Sequence, residues 1–154
     1  MKKVIDLFDV RYGVNLELNA LKQTPNGINF VSRTSNNNGV SAKVARVNGI
    51  KPIPAGTISV AGGGSVMESF LQTEPYYSGR DLYYLTAKFE LSDQEKLYYC
   101  ACLRANKYRY NYGRQANRTL RDILVPSPNE IPAWVNHTMS ELVVEMKAVL
   151  TNIG

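Results

Sequence analysis

Short β-prone runs separated by turn signals dominate the first two thirds of the chain. Ile28 to Ser32, Ala42 to Val47, Thr57 to Ala61 and Leu82 to Thr86 are each of strand length and rich in β-branched or aromatic residues. Between them lie Thr24-Pro25-Asn26-Gly27, Ser35-Asn36-Asn37-Asn38-Gly39, Val47-Asn48-Gly49, the proline-bearing Lys51 to Gly56 segment and Gly62-Gly63-Gly64, all of residue types that bend the backbone. This part is predicted to be mainly sheet. The pattern changes at Ser92-Asp93-Gln94-Glu95, a capping box whose hydroxyl and carboxylate each satisfy an orphan amide. A helix is therefore predicted over about 92–106, with Leu97, Ala101 and Arg104 on one stripe and Tyr98 and Cys102 on another. A second, C-terminal helix is predicted over about 132–151, where Met139, Leu142, Val143, Met146, Val149 and Leu150 recur at three-and-four spacing and form one apolar face. The expected fold class is α+β: one sheet-rich globular domain over residues 1–154 with a mid-chain and a C-terminal helix.

Composition supports a folded domain, since 44% of the 154 residues are hydrophobic and 20% charged. No run approaches the ~20 apolar residues that span a bilayer, and Met1-Lys2-Lys3 leads directly into Asp6 and Asp9, so a cytoplasmic protein without a membrane segment is expected. The net charge of +5 matters because it is concentrated. Between Arg11 and Met67, Glu17 is the sole acid beside Arg11, Lys22, Arg33, Lys43, Arg46 and Lys51. From Cys100 through Arg121 there is no acid, while Arg104, Lys107, Arg109, Arg114, Arg118 and Arg121 alternate with tyrosines. Such asymmetry describes either a polyanion-binding face or a solvated basic surface.

Catalytic constellations are weak. The Ala61-Gly62-Gly63-Gly64-Ser65 run lacks both the Lys-Ser/Thr end of a P-loop and dinucleotide-binding spacing, so its glycines are better explained by a tight bend or close approach of another segment. His137 is the only histidine, and with Cys100 and Cys102 it falls short of a tetrahedral zinc set; the cysteines read as reduced thiols on a helix. Asp122, Glu145 and Lys147 resemble a metal-dependent nuclease pattern, but Met146 belongs to an apolar helical stripe whose solvent side Glu145 and Lys147 would supply. A binder without metal or cofactor is expected.

Two segments carry side chains suited to DNA. Arg33, Asn36, Asn37 and Asn38 sit in the Ser32 to Gly39 loop, where a guanidinium and short amides can address phosphates or base edges. The second segment offers Lys107, Arg109, Tyr110, Arg114, Gln115 and Arg118, combining aromatic faces with fork-shaped donors.

The chain resembles the target recognition domain of restriction-modification specificity subunits, of the type I and BcgI-like kinds. The likeness runs in order through Leu7-Phe8-Asp9-Val10-Arg11-Tyr12-Gly13, Phe30-Val31-Ser32-Arg33-Thr34 and Pro54-Ala55-Gly56-Thr57-Ile58. It continues through Gly63-Gly64-Ser65-Val66, Glu95-Lys96-Leu97-Tyr98-Tyr99, Tyr110 to Asn117, and Ile123-Leu124-Val125-Pro126. The resemblance implies a mixed α and β domain that reads half of a bipartite double-stranded DNA target. It implies no catalytic residues and no cofactor, with S-adenosylmethionine held by methyltransferase partners. Type I specificity subunits typically carry two such domains joined by long helices, and here one domain and a short helix are expected. That departure leaves open a half-subunit acting as a homodimer beside methyltransferase and restriction subunits, or a stand-alone phage or mobile-element protein that binds a host protein.

Overall fold

The computed structural model describes residues 1–110 and 114–136. Asn111, Tyr112, Gly113 and most of the expected C-terminal helix lie outside the described residues; of the span 132–151, Ala133–Asn136 forms a 3-10 turn.

Strands β1 (Lys2–Lys3) and β2 (Phe8–Tyr12) flank the short helix α1 (Val4–Leu7). Strands β3 (Gln23–Val31), β4 (Val40–Val44), β5 (Ile58–Ala61), β6 (Ser69–Leu71), β7 (Tyr76–Ser78) and β8 (Leu82–Ala87) follow. The helix α2 (Asp93–Ala105) and β9 (Leu124–Val125) come after them. The fold is α+β, as its sequence pattern predicts.

β2, β8, β5 and β6 form a four-stranded antiparallel sheet in that order. A second sheet has the order β4-β3-β7, with β3 antiparallel to β4 and parallel to β7. β1 and β9 pair separately. Each predicted strand run has an observed counterpart with somewhat different ends. Thr57 stays outside β5, its hydroxyl donating to the Pro54 carbonyl at 3.0 Å and lying 2.8 Å from the Tyr76 hydroxyl. Val47 lies beyond β4 and donates its amide to the Tyr77 hydroxyl at 3.0 Å.

The predicted mid-chain helix is α2. Ser92 is its N-cap, accepting from the Glu95 amide at 3.1 Å while its own amide donates to the Glu95 carboxylate at 2.9 Å. Tyr99, Cys100 and Leu103 form its buried stripe, whereas Leu97 is 53% exposed and Ala101 faces solvent. The apolar spacing alone does not distinguish these stripes, because Leu97 and Leu103 score alike until the sheet supplies a packing surface. The main core lies between the four-stranded sheet and α2, with Phe8 and Tyr99 meeting edge to face at 5.3 Å. Cys100 is a free thiol within it, its pKa pushed up to about 12 by burial, so it stays protonated at neutral pH. Smaller cores built on Val31, Ile53, Tyr76 and Leu82 and on Phe30, Val44 and Tyr77 stabilise the second sheet.

Candidate nucleic-acid interface

The site is assembled on the glycine-rich turn that links β5 to β6. The Met67 amide returns to the Ala61 carbonyl at 2.9 Å, and the Ala61 amide donates to the Glu68 carbonyl at 3.0 Å, closing the turn as a tight loop. Gly64 has φ +61°, in the left-handed region, and a Cβ there would lie 2.9 Å from the Cβ of Arg33. Gly62 is needed for close approach: a Cβ would lie 2.5 Å from Asn117 Oδ1 and 2.8 Å from the Tyr83 ring. The Gly62 carbonyl also accepts from the Ala116 amide at 2.9 Å, and its amide donates to the Asp81 carbonyl at 2.7 Å. One turn therefore touches both basic segments, which are some eighty residues apart in sequence.

Arg33 lies against this turn and pairs through Nη1 with Asp81 Oδ2 at 3.2 Å. With Arg80 and Ser32 it lines a hollow of about 540 Å³. Beyond Arg33 the loop carries consecutive positive-φ asparagines, Asn37 at 48° and Asn38 at 55°, a conformation their short amides tolerate. Those amides are also occupied. Asn37 Nδ2 donates to the Val40 carbonyl at 3.1 Å, and Asn38 Nδ2 donates to the Leu71 carbonyl at 3.1 Å. The Asn38 carbonyl accepts from Gln72 Nε2 at 2.8 Å, so Asn38 fastens the loop to β6 and its following residue. Asn36 is exposed, and its backbone amide donates to Thr34 Oγ1 at 3.2 Å.

On the other side of the turn, Gly64, Ser65 and Val66 form one wall of a cavity of about 400 Å³ whose opposite wall is Lys107, Tyr110, Arg114 and Gln115. Lys107 is paired with Glu68, N to O 2.5 Å, and the Tyr110 hydroxyl lies 2.7 Å from Thr119 Oγ1, so both help hold the cavity's shape. Gln115 accepts from Asn117 Nδ2 at 2.8 Å. Arg114 and Arg118 are exposed and form no ion pair with any described residue. Arg109 stands apart: its Nε donates to Asn106 Oδ1 at 2.8 Å, its guanidinium lies 5.2 Å from the Tyr108 ring centre, and it lines a separate hollow with Thr119 and Asp122. The structure thus brings Arg33, Lys107, Tyr110, Arg114 and Gln115 to one glycine turn, and not Arg109.

Ser65, Asp81, Arg80 and Asn117 belong to this place but were not singled out from sequence. Ser65 and Asn117 have a local signal, one beside the glycines and the other within the second basic segment; Arg80 and Asp81 are recognisable only through their contacts. Asp122 of the nuclease-like pattern lies 3.4 Å from Lys3 Nζ, while Glu145 and Lys147 lie outside the described residues. Among the described residues no group of three or more His, Cys, Asp or Glu is placed to hold a metal. No helix among them is long and apolar enough to cross a membrane.

The glycine turn thus joins a sheet-borne loop to a basic segment that follows α2. The chain belongs to the family of type I restriction modification DNA specificity domains, whose model matches residues 1–130. Its fold is similar to that of the HsdS subunit from Thermoanaerobacter tengcongensis, with a TM-score of 0.66 and 13% identity over 96% of this chain and 39% of that one. It is also similar to the type I restriction-modification S subunit from M. genitalium, with a TM-score of 0.55 and 20% identity over 79% and 32% of the two chains. A third similar structure comes from work on assembly and conformational transition of the type I R-M system, with a TM-score of 0.67 and 16% identity, covering 98% of this chain and 40% of that one. The chain therefore spans about two fifths or less of the length of these neighbours. No curated protein matches its sequence.

Proposed function

We infer that this chain is a non-catalytic module that binds double-stranded DNA in a sequence-specific manner and reads one half of a bipartite target for methyltransferase and restriction subunits. The observation that carries this reading is the Gly62 to Ser65 turn, which gathers Arg33 on one side and Arg114, Gln115, Lys107 and Tyr110 on the other. Arg114 and Arg118, exposed and without an ion partner among the described residues, serve as phosphate contacts. Arg109, further round the same segment, supplies another. Asn36 and Gln115 are the amides best placed to meet base edges, since Asn37 and Asn38 use theirs to hold the loop.

The chemistry of modification and cleavage belongs, on this reading, to the partner subunits, and two recognition surfaces come from a second copy of this chain or from a second domain. The test is selection of bound duplexes from a random library at physiological salt, followed by titration of a winner against its scramble. A short asymmetric motif bound ~10³-fold or more above the scramble is expected. Equal, weak affinity for both would overturn sequence recognition. Retention of a bacterial protein from nuclease-treated lysate would then favour a host-protein binder.

A further inference from the structure

The basic residues between Arg11 and Met67 separate in space. Arg33 goes to the glycine turn, but Lys43, Arg46 and Lys51 ring a different groove of about 780 Å³ at the far end of the β3–β4 hairpin. All three are exposed, and none forms an ion pair with a described residue. Pro52, Pro54 and Pro75 contribute rigid apolar surface to the lining. Glu74 is the one acid there, and it accepts from Asn29 Nδ2 at 3.1 Å.

We propose that this groove is a second sugar–phosphate binding site, which grips the backbone of the same duplex whose bases the glycine-turn site reads; it rests on the DNA-recognition reading above. A nucleic-acid strand alternates anionic phosphates with apolar deoxyribose faces. Three exposed cations around a proline-lined floor complement that alternation, with the cations on phosphates and the prolines against sugars. An acidic protein segment would meet the same cations. The hairpin favours DNA, because β3 runs directly from the groove into the loop that carries Arg33. From Ile28 to Arg33 is roughly 16 Å at ~3.3 Å per residue, close to half of a ~34 Å helical turn, so one duplex reaches both places. Contacts of this kind carry no base information; they set affinity and register.

The experiment is a salt titration of duplex binding by the whole chain and by Lys43→Ala/Arg46→Ala/Lys51→Ala, on the selected duplex and on its scramble, with circular dichroism to establish that the variant is folded. The slope of log Kobs against log salt should become shallower by ~2.7 on both duplexes, from ~0.9 per lost contact. Between 50 and 200 mM salt the affinity gap between the two proteins then shrinks about 40-fold. Selectivity for the motif should survive. The single Arg46→Ala variant carries the same test with a slope change of ~0.9 if the triple variant does not fold. An unchanged slope in a folded variant, with the parent chain still selecting its motif, overturns the groove and leaves recognition standing. If the same folded variant instead loses a protein captured from nuclease-treated lysate, the groove holds an acidic protein segment. A parent chain without affinity for any duplex overturns both.

Discussion

Arg33 Nη1 lies 3.2 Å from Asp81 Oδ2, and that ion pair ties the root of the Ser32 to Gly39 loop to the turn between β7 and β8. Asp81 is held in its turn by Tyr12, whose hydroxyl accepts from the Asp81 amide at 2.8 Å. The Asp81 carboxylate is mostly buried, but the Arg33 side chain is 34% exposed, so solvent screens much of the attraction. Asp81→Asn should therefore lower stability by less than ~1 kcal/mol in urea unfolding. Its larger effect should be on binding: with Arg33 released, the preference for a selected duplex over its scramble falls while overall affinity is kept.

Gly62→Ala tests the turn itself. The added methyl meets Asn117 Oδ1 and the Tyr83 ring inside van der Waals distance, and the Tyr83 ring is buried in the core. A loss of about 1–3 kcal/mol is expected from overpacking, read by thermal or urea unfolding. Loss of duplex discrimination at temperatures where the variant remains folded would show that the two segments must be held together.

Arg114 and Arg118 are exposed cations of the second segment that form no ion pair with a described residue. Arg114→Ala/Arg118→Ala should flatten the salt dependence of duplex binding by ~1.8 on any sequence, at ~0.9 per contact. Because neither is buried, the melting temperature should barely move, which separates loss of contact from loss of fold.

Tyr77→Phe probes the support of the Lys51 groove. The Tyr77 hydroxyl accepts from the Val47 amide and donates to the Ile50 carbonyl, each at 3.0 Å, so its removal leaves two backbone groups without partners. About 1–3 kcal/mol of stability should be lost. Amide exchange should quicken first at Val47.

Glu130 gives the fold a defined acid response. The Ser127 hydroxyl and then the Met1 amino group, 2.9 Å away, hold its carboxyl down to about 2 from the ordinary 4.5. A pKa depressed on folding contributes stability that is fully present above pH 4.5 and is lost as the pH falls towards 2. Glu130→Gln should therefore be less stable than the parent at pH 7, with the difference closing between pH 4.5 and 2 in acid-unfolding curves.

The features legible along the chain are local in origin. Ser92 and Glu95 start α2 because both partners of the capping box lie within one turn, and the β-branched run at Ile58 and the tyrosine-bearing run at Leu82 form strands because they suit a pleated, buried surface. The runs of charge are equally visible. β6 and β7 are not, since three residues are too few to establish a period: Phe70 in Ser69–Leu71 is half-buried between two buried neighbours, and Tyr76–Ser78 is buried throughout. Which polar side chains remain available depends on the contacts that folding makes. Asn36, Asn37 and Asn38 look alike in sequence, yet the amides of Asn37 and Asn38 are used by the Val40 and Leu71 carbonyls. Likewise the glycines announce a bend, but not that Arg33 and Asn117 will pack against it. A hydrogen bond or a close approach depends on which distant segments the sheets bring together, and no spacing along the chain encodes that directly.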